Sequence, residues 1–278
     1  MAKGIGLIGN FRGKVGNMVG YNLKDSNNKQ TQGVRVYQPI VKNPKTYAQA
    51  EQRAKLAPIN ALYRALKPII DRGQEGKAYG NKSRLAWLKQ ALRYFSTPWI
   101  EKGGSVVTPP LVPITHGSLA PVGAVIPTTG KVMLEFNELT SAPTTIGALS
   151  TALLDYYSQL QNGDQITFVM VLKNLSGALV SEIISIVVDT ASASAIPEGL
   201  RATTSSLEWT EADGNAMAAA IILSREGSNG EHLRSSATLI KGSEYDDSKD
   251  TDAAKEAAIR SYMTGGSNTD WAEESLQG

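Results

Sequence analysis

Three glycines near the start of the chain match the letters of a dinucleotide-binding loop. Gly4, Gly6 and Gly9 have the G-x-G-x-x-G spacing that lets a backbone cradle a pyrophosphate. That loop opens a helix, whereas the sequence after Gly9 is glycine-rich and has β character. The context argues against a nucleotide site, and we predict no cofactor.

Carboxylates and histidines are the residues that could hold a metal ion or act in catalysis. The acidic residues crowded between positions 244 and 252 are Glu244, Asp246, Asp247, Asp250 and Asp252. They lack the glycine and the distal bidentate Glu of a calcium loop. His116 and His232 have no His or Glu neighbour at metal-ligand spacing. We expect a solvated acidic loop and solvated histidines, with no metal site and no catalytic residue, so the chain is predicted not to be an enzyme.

Lysines and arginines interleaved with aromatic residues give the strongest binding signal. Residues 1–100 carry a net charge of +14, whereas residues 101–278 carry −12. Cations neutralise phosphates and aromatic rings stack on bases, so this composition suits a nucleic acid. An acidic protein surface, or a solvated face that serves solubility alone, would explain the same charge. The residues predicted to bind nucleic acid or capsid are Arg35, Lys42, Lys45, Arg53, Lys55, Lys82, Arg84, Lys89 and Arg93.

A hairpin and two helices are predicted to carry these cations. Residues 14–38 alternate as two strands around a polar turn cluster. Thr46 is a candidate N-cap for a helix whose apolar stripe runs to Ile70, and Pro58 and Pro68 should kink or divide that helix. A second helix is expected to begin at Asn81 as its cap. Its predicted buried face consists of Leu85, Leu88, Ala91, Leu92 and Phe95.

The rest of the chain reads as a β-rich domain behind a linker. Residues 101–128 are rich in proline and are predicted to be extended and exposed. Regularly spaced strand candidates follow, with a short helix near residues 146–157 and a terminal helix at 250–263. The predicted fold class is α+β. It combines a basic β-hairpin and helices with a small antiparallel β-sandwich or barrel and a C-terminal helix.

This pattern predicts four segments. They are a basic hairpin-and-helix region (1–100), the linker (101–128), an acidic β-rich domain (129–266) and a flexible polar tail (267–278). The tail holds one large apolar side chain, Trp271, which we predict to contact a partner. No stretch approaches the roughly 20 apolar residues of a membrane helix, so no membrane partner is expected.

Two stretches of the basic region resemble a family of uncharacterised proteins from Bacteroidota and their phages. The first runs from Gly13-Lys14-Val15-Gly16-Asn17 to Tyr21, and the second is Asn43-Pro44-Lys45-Thr46 with Gln49, Gln52-Arg53 and Lys55. Gly80-Asn81-Lys82-Ser83-Arg84 and His116-Gly117-Ser118-Leu119 look like the variant carried in small phage genomes. The resemblance covers about residues 4–120 and implies a non-enzymatic phage or mobile-element protein.

These observations together predict a phage structural protein that is found in the virion, and in the host cytoplasm during assembly. Its basic region would dock on nucleic acid or capsid, and its β-domain would act as a spike, decoration or assembly module. The expected partners are capsid or other virion proteins and nucleic acid, with the chain as one copy of an oligomeric assembly. The alternatives are a soluble nucleic-acid-binding protein outside the particle and, least favoured, an enzyme of unknown type.

Overall fold

A computed structural model describes residues 13–24, 30–37, 46–125, 132–209, 216–227 and 230–263. The chain divides into two compact units, Met1–Pro44 and Lys45–Gly278. The strands and α-helices, in chain order, are β1 (Gly13–Val15), β2 (Met18–Lys24), β3 (Gln30–Val36), α1 (Tyr47–Ala65), α2 (Lys67–Ile70), α3 (Asn81–Tyr94), β4 (Pro113–Thr115), β5 (Ala124–Val125), β6 (Val132–Glu135), α4 (Ile146–Tyr156), β7 (Gln165–Lys173), β8 (Leu179–Val187), β9 (Leu200–Ala202), β10 (Ser206–Trp209), β11 (Ala216–Glu226), β12 (His232–Arg234), β13 (Ala237–Thr238), β14 (Ile240–Lys241) and α5 (Asp252–Met263).

The first unit contains an antiparallel sheet in the order β1-β2-β3. The predicted hairpin is confirmed, since β2 and β3 pair from Met18↔Val36 to Lys24↔Gln30. The structure adds a second hairpin, because β1 turns back onto β2 at Gly16 and Asn17. Gly16 has φ +58°, a conformation that two-residue hairpin turns require and that glycine adopts without a steric penalty.

In the second unit the long helix forms as its cap and stripe predict. The Gln49 amide donates to Thr46 Oγ1 at 3.4 Å, and the apolar stripe buries Ile59 and Leu62. The helix runs unbroken through Pro58 and ends at Ala65, with Leu66 as its C-cap residue and Pro68 in the first turn of α2. Only the second proline divides it, because a proline fits the first turn of a helix, where its missing N–H is not needed.

The centre of the second unit is an antiparallel sheet in the order β12-β11-β7-β8, with β14 also paired to β11. Side chains of β7 alternate between its two faces: Ile166, Phe168 and Met170 enter one hydrophobic core, and Val169 and Val171 enter the other. Both faces of β7 are buried, which explains why its sequence is a nearly continuous run of apolar residues.

Each face of the central sheet is covered by a different layer. The first core is closed by α4 and by a second antiparallel sheet, β5-β6-β10-β9, through residues such as Leu153, Leu134 and Trp209. The second core is closed by α1, α2, α3 and α5. This arrangement of helices, sheet and sheet confirms the α+β class and the C-terminal helix.

The compact units differ from the segments expected from charge. The predicted boundary at residue 100 falls inside the second unit, because Leu62 and Trp87 share a core with Val169 and Val171. The proline-rich stretch 101–128 also differs from an exposed linker over its described residues, since Val112 is buried and β4 pairs with β13. Net charge describes surfaces, and it does not report which apolar faces share a core.

Candidate nucleic-acid interface

The orientation of α3 decides which of its cations face solvent. Ser83, Trp87 and Ala91, spaced four apart, are its buried residues. Ser83 Oγ donates to the Ile70 carbonyl at 2.7 Å and Trp87 Nε1 donates to the Pro113 carbonyl at 2.9 Å. These two hydrogen bonds anchor one side of the helix to α2 and to β4.

The predicted buried face of α3 needs two corrections. Leu85 is 55% exposed, because the hydrogen-bonded Ser83–Trp87–Ala91 stripe turns it outward. Asn81 is the first helical residue and not the cap; Gly80, with φ +83°, precedes the helix without a side-chain cap. Phe95 is buried, and Leu88 and Leu92 are partly buried, as expected.

The solvent side of α3 carries cations that are not neutralised by neighbouring carboxylates. Lys82, Lys89 and Arg93 are exposed, and none has an ion pair within the part of the chain that the structure describes. The helix contains no acidic residue. Spacings of seven and four place these cations along one side of the helix. We call Lys82, Lys89 and Arg93 the α3 cation row.

Exposed tyrosines lie at both ends of α3. Tyr79, just before the helix, is 66% exposed, and the Arg72 guanidinium lies 5.1 Å from its ring centroid. Tyr94, in the last turn, is 57% exposed, with Arg93 5.8 Å from its ring centroid. Aromatic rings beside cations are the combination that stacks bases while it holds the backbone of a single strand.

Other predicted cations are used inside the protein. Arg84 is half-buried, and its guanidinium lies 4.6 Å from the Tyr63 ring centroid. The Tyr63 hydroxyl donates to Asp71 Oδ1 at 2.9 Å. Burial raises the pKa of Tyr63, and the hydrogen bond to Asp71 raises it further. Arg84 therefore belongs to a packed cluster, in which its aliphatic stem and its ring contact are both committed.

Lys55 lies in a separate groove of about 380 Å³ beside Trp99. Its ammonium pairs with Glu51 at 2.9 Å, and the ammonium groups of Lys55 and Lys255 lie 5.9 Å and 5.3 Å from the Trp99 ring centroid. Asp252 also lines this groove. The two cations are thus balanced by carboxylates, which makes the groove a poor polyanion site.

The remaining predicted residues lie elsewhere. Arg35 is exposed on β3 in the first unit, and Arg53 is half-buried on α1. Lys42, Lys45 and Trp271 lie outside the described residues, as do the glycines at 4, 6 and 9. The structure therefore brings together Lys82, Lys89 and Arg93 and keeps Arg84 and Lys55 in other surroundings.

The acidic residues near position 246 have local roles. The Ser248 amide donates to Asp246 Oδ1 at 2.9 Å at the start of a 3₁₀ helix, Asp247–Lys249. Hydrogen bonds from the Ser248 side chain and amide lower the pKa of Asp246. Asp247 forms an ion pair with Lys241. In the described part of the chain, no three His, Cys, Asp or Glu side chains are placed to hold a metal ion.

Comparisons with known proteins identify no relative: no family model, no curated protein and no solved structure matches the chain. Among the described helices, none is both long enough and apolar enough to cross a membrane.

Sequence reasoning missed Arg72 and Tyr79 as a pair, although Arg72-x-x-x-x-x-x-Tyr79 lies in the loop that leads into α3. It also missed Arg234, a half-buried cation on β12 that belongs to the acidic part of the sequence. No local signal identifies Arg234, because the residues around it come from distant parts of the chain.

Proposed function

We propose that the protein is a non-enzymatic structural component of a phage particle that docks onto nucleic acid through the α3 cation row. One observation carries the proposal: Lys82, Lys89 and Arg93 form an unneutralised row flanked by the exposed rings of Tyr79 and Tyr94. A charged row without carboxylates attracts phosphates at long range, and the rings add contacts that a solvated face does not need. The particle is the setting implied by the resemblance of residues 4–120.

The sheet of the first unit favours an additional protein contact. Cross-strand partners share a face, so the pairs Met18↔Val36 and Gly20↔Val34 place Met18, Val34 and Val36 together. These side chains are 42%, 52% and 72% exposed. An exposed aliphatic face of this kind suits a protein surface of the particle better than a nucleic acid. This observation favours a virion component over the alternative of a soluble nucleic-acid-binding protein.

The nucleic-acid part is tested by removing the α3 cation row. The triple variant Lys82→Ala, Lys89→Ala, Arg93→Ala should bind single-stranded DNA or RNA at least about tenfold more weakly at low salt. Its slope of log affinity against log salt should fall by about two, since each lost phosphate contact removes about 0.7 on a single strand. Retardation gels or fluorescence anisotropy over a salt series measure both quantities.

The matched control removes three exposed cations from other surfaces: Lys173→Ala, Arg201→Ala, Lys249→Ala. The proposal requires this control to keep most of the affinity. Equal losses in the two triple variants, or no binding by the unaltered protein at low salt, would overturn the interface. Mass spectrometry of purified particles tests the setting: the chain should be present, and binding without incorporation would favour the soluble alternative.

A further inference from the structure

Three segments of the second unit run side by side beyond the end of α2. His116 donates its amide to the Gly73 carbonyl at 2.9 Å, and its own carbonyl accepts from the Glu75 amide at 3.0 Å. Leu119 donates to the Arg234 carbonyl at 2.9 Å. The backbones approach closely, since a Cβ on Gly117 would lie 2.2 Å from the Arg234 carbonyl oxygen. Residues 72–75, 115–119 and 234–237 therefore form one hydrogen-bonded corner, which we call the Arg234 corner.

Both carboxylate oxygens of Glu75 accept hydrogen bonds from other segments of this corner. Glu75 Oε2 accepts from the Ser118 amide at 2.8 Å and from the Arg234 amide at 3.1 Å, and Oε1 accepts from Ser118 Oγ at 2.8 Å. Burial raises the pKa of Glu75, but these hydrogen bonds and the nearby His116 outweigh it, so the net pKa lies below its ordinary value. Glu75 is thus an ionised clamp for the backbone, and its oxygens accept from no guanidinium in the described chain.

The Arg234 side chain lies on the helix-covered face of the central sheet. Arg234 pairs with Ser224 on β11, and cross-strand partners share a face. Ser224 lies two residues after Ile222 on β11, so their side chains point to the same face of the sheet. Ile222 packs into the core that the helices close. Arg72 lies two residues after α2, which packs against this face through Ile70. Arg72 is close enough for its charge to act on Arg234, adding to burial in lowering the pKa of that guanidinium.

Arg234 has no compensating partner in the described part of the chain. Its Nε is buried and makes no hydrogen bond, and no carboxylate lies within ion-pair distance of its guanidinium. Gln74, 5% exposed, also has a buried side-chain nitrogen without a partner. Almost all buried donors in native proteins have a hydrogen-bond partner. A desolvated cation beside a second cation is especially unfavourable. The corner therefore offers donors in excess of its acceptors.

We propose that Arg234 and Arg72 form a seat for a phosphate oxyanion. Two guanidinium forks present donors in the planar geometry that matches phosphate oxygens, and a bound dianion would pair both charges at once. This inference goes beyond the proposed function, because Arg234 lies outside the nucleic-acid interface and neither arginine is a member of the α3 cation row, although Arg72 also lies beside Tyr79. The phosphate belongs either to a small free phosphate or to a nucleic-acid backbone, and the test separates these sources.

The test uses the full chain and inorganic phosphate, with sodium chloride of equal ionic strength as the reference. Phosphate should raise the thermal unfolding midpoint more than chloride does, and calorimetric titration should give a saturable isotherm. Arg72→Met, a change at an exposed residue, and Arg234→Met should each weaken phosphate binding about tenfold or more. Arg234→Lys should also weaken it, because an ammonium retains the charge but lacks the fork.

Arg201→Met is the matched control, since it removes an exposed arginine of β9 that belongs neither to the α3 cation row nor to this corner, and its phosphate affinity should equal that of the unaltered protein. A single-stranded oligonucleotide separates the sources: weaker binding by Arg234→Met identifies a backbone phosphate, and unchanged binding identifies a small free phosphate. The proposal is wrong if phosphate stabilises no more than chloride, or if Arg72→Met and Arg201→Met bind phosphate equally well.

Discussion

Arg225 and Arg234 lie on neighbouring strands of one sheet, but their guanidinium groups differ in whether they have a carboxylate partner. Arg225 points to the face closed by the second sheet, where Nε and Nη2 donate to Asp164 at 2.6 Å and 2.7 Å, and Nη2 also donates to the Gln159 carbonyl at 2.7 Å. The hydrogen bonds to Asp164 raise the pKa of Arg225. Arg234 points to the helix-covered face, where Nε has no hydrogen-bond partner among the residues that the structure describes.

The difference separates a structural ion pair from a binding seat. Breaking a desolvated ion pair inside the fold leaves one charge without a partner, whereas a desolvated cation that has no partner in the fold gains one only from an anion that binds from outside. Charge counts cannot distinguish the two residues, because both contribute one cation to the acidic part of the sequence. The contrast therefore predicts that stability changes differently when the surroundings of Arg225 and of Arg234 are altered.

The largest effect on stability is expected at the ion pair between Arg225 and Asp164. The Asp164 side chain is 1% exposed and also accepts from the Gln161 amide at 2.8 Å. Asp164→Ala should lower the free energy of unfolding by about 3 kcal/mol, because it leaves Arg225 and a backbone donor unpaired. Urea unfolding at neutral pH measures this change. Glu182→Ala, at an exposed acid of β8, should change stability by less than about 0.5 kcal/mol; a similar loss in both variants would remove the contrast.

The second prediction compares the two arginines through the same substitution. Arg225→Met should cost about 2 kcal/mol of unfolding free energy, because it leaves the buried Asp164 carboxylate without its guanidinium. In phosphate-free buffer, Arg234→Met should leave stability unchanged or raise it by up to about 1 kcal/mol, since it removes an unpaired cation and keeps apolar bulk. Equal destabilisation by both changes, measured by urea unfolding, would assign Arg234 a structural partner.

The smallest effect, and the one that depends on pH, concerns Glu75. Its folded-state pKa lies below the ordinary value of 4.5, so the ionised carboxylate stabilises the fold above that value. This contribution is lost as the pH falls through the folded-state pKa. Glu75→Gln should therefore cost about 1 kcal/mol at neutral pH, with the difference from the unaltered protein shrinking toward zero in acid.

Unfolding curves recorded from pH 7 down to pH 3 check this behaviour. Glu138→Gln serves as the control, because Glu138 is exposed and its carboxylate makes no hydrogen bond within the described chain. A cost for Glu75→Gln that stays constant across this range would mean that the clamp does not depend on the charge of Glu75.

Elements that depend on neighbours in sequence could be predicted from the sequence. The strand at residues 165–173 has the predicted bounds, and the Thr46 cap and the break before Pro68 follow from side-chain and backbone chemistry within one helical turn. The α+β class follows from the same local patterns. A cap, a proline or a run of β-branched residues acts through contacts a few positions away, so its effect is present in the sequence itself.

The surfaces were decided by tertiary structure. Leu85 and Trp87 are both apolar residues of one helix, and the hydrogen bonds that Ser83 and Trp87 donate to distant carbonyls determine which of the two faces solvent. The Arg234 backbone amide donates a hydrogen bond to the Glu75 carboxylate, although the two residues are 159 positions apart in the sequence. The sequence determined how many cations the protein has. Whether each one is paired, buried or free to bind an anion depends on long-range packing, because burial and pairing are set by whichever groups the fold brings alongside.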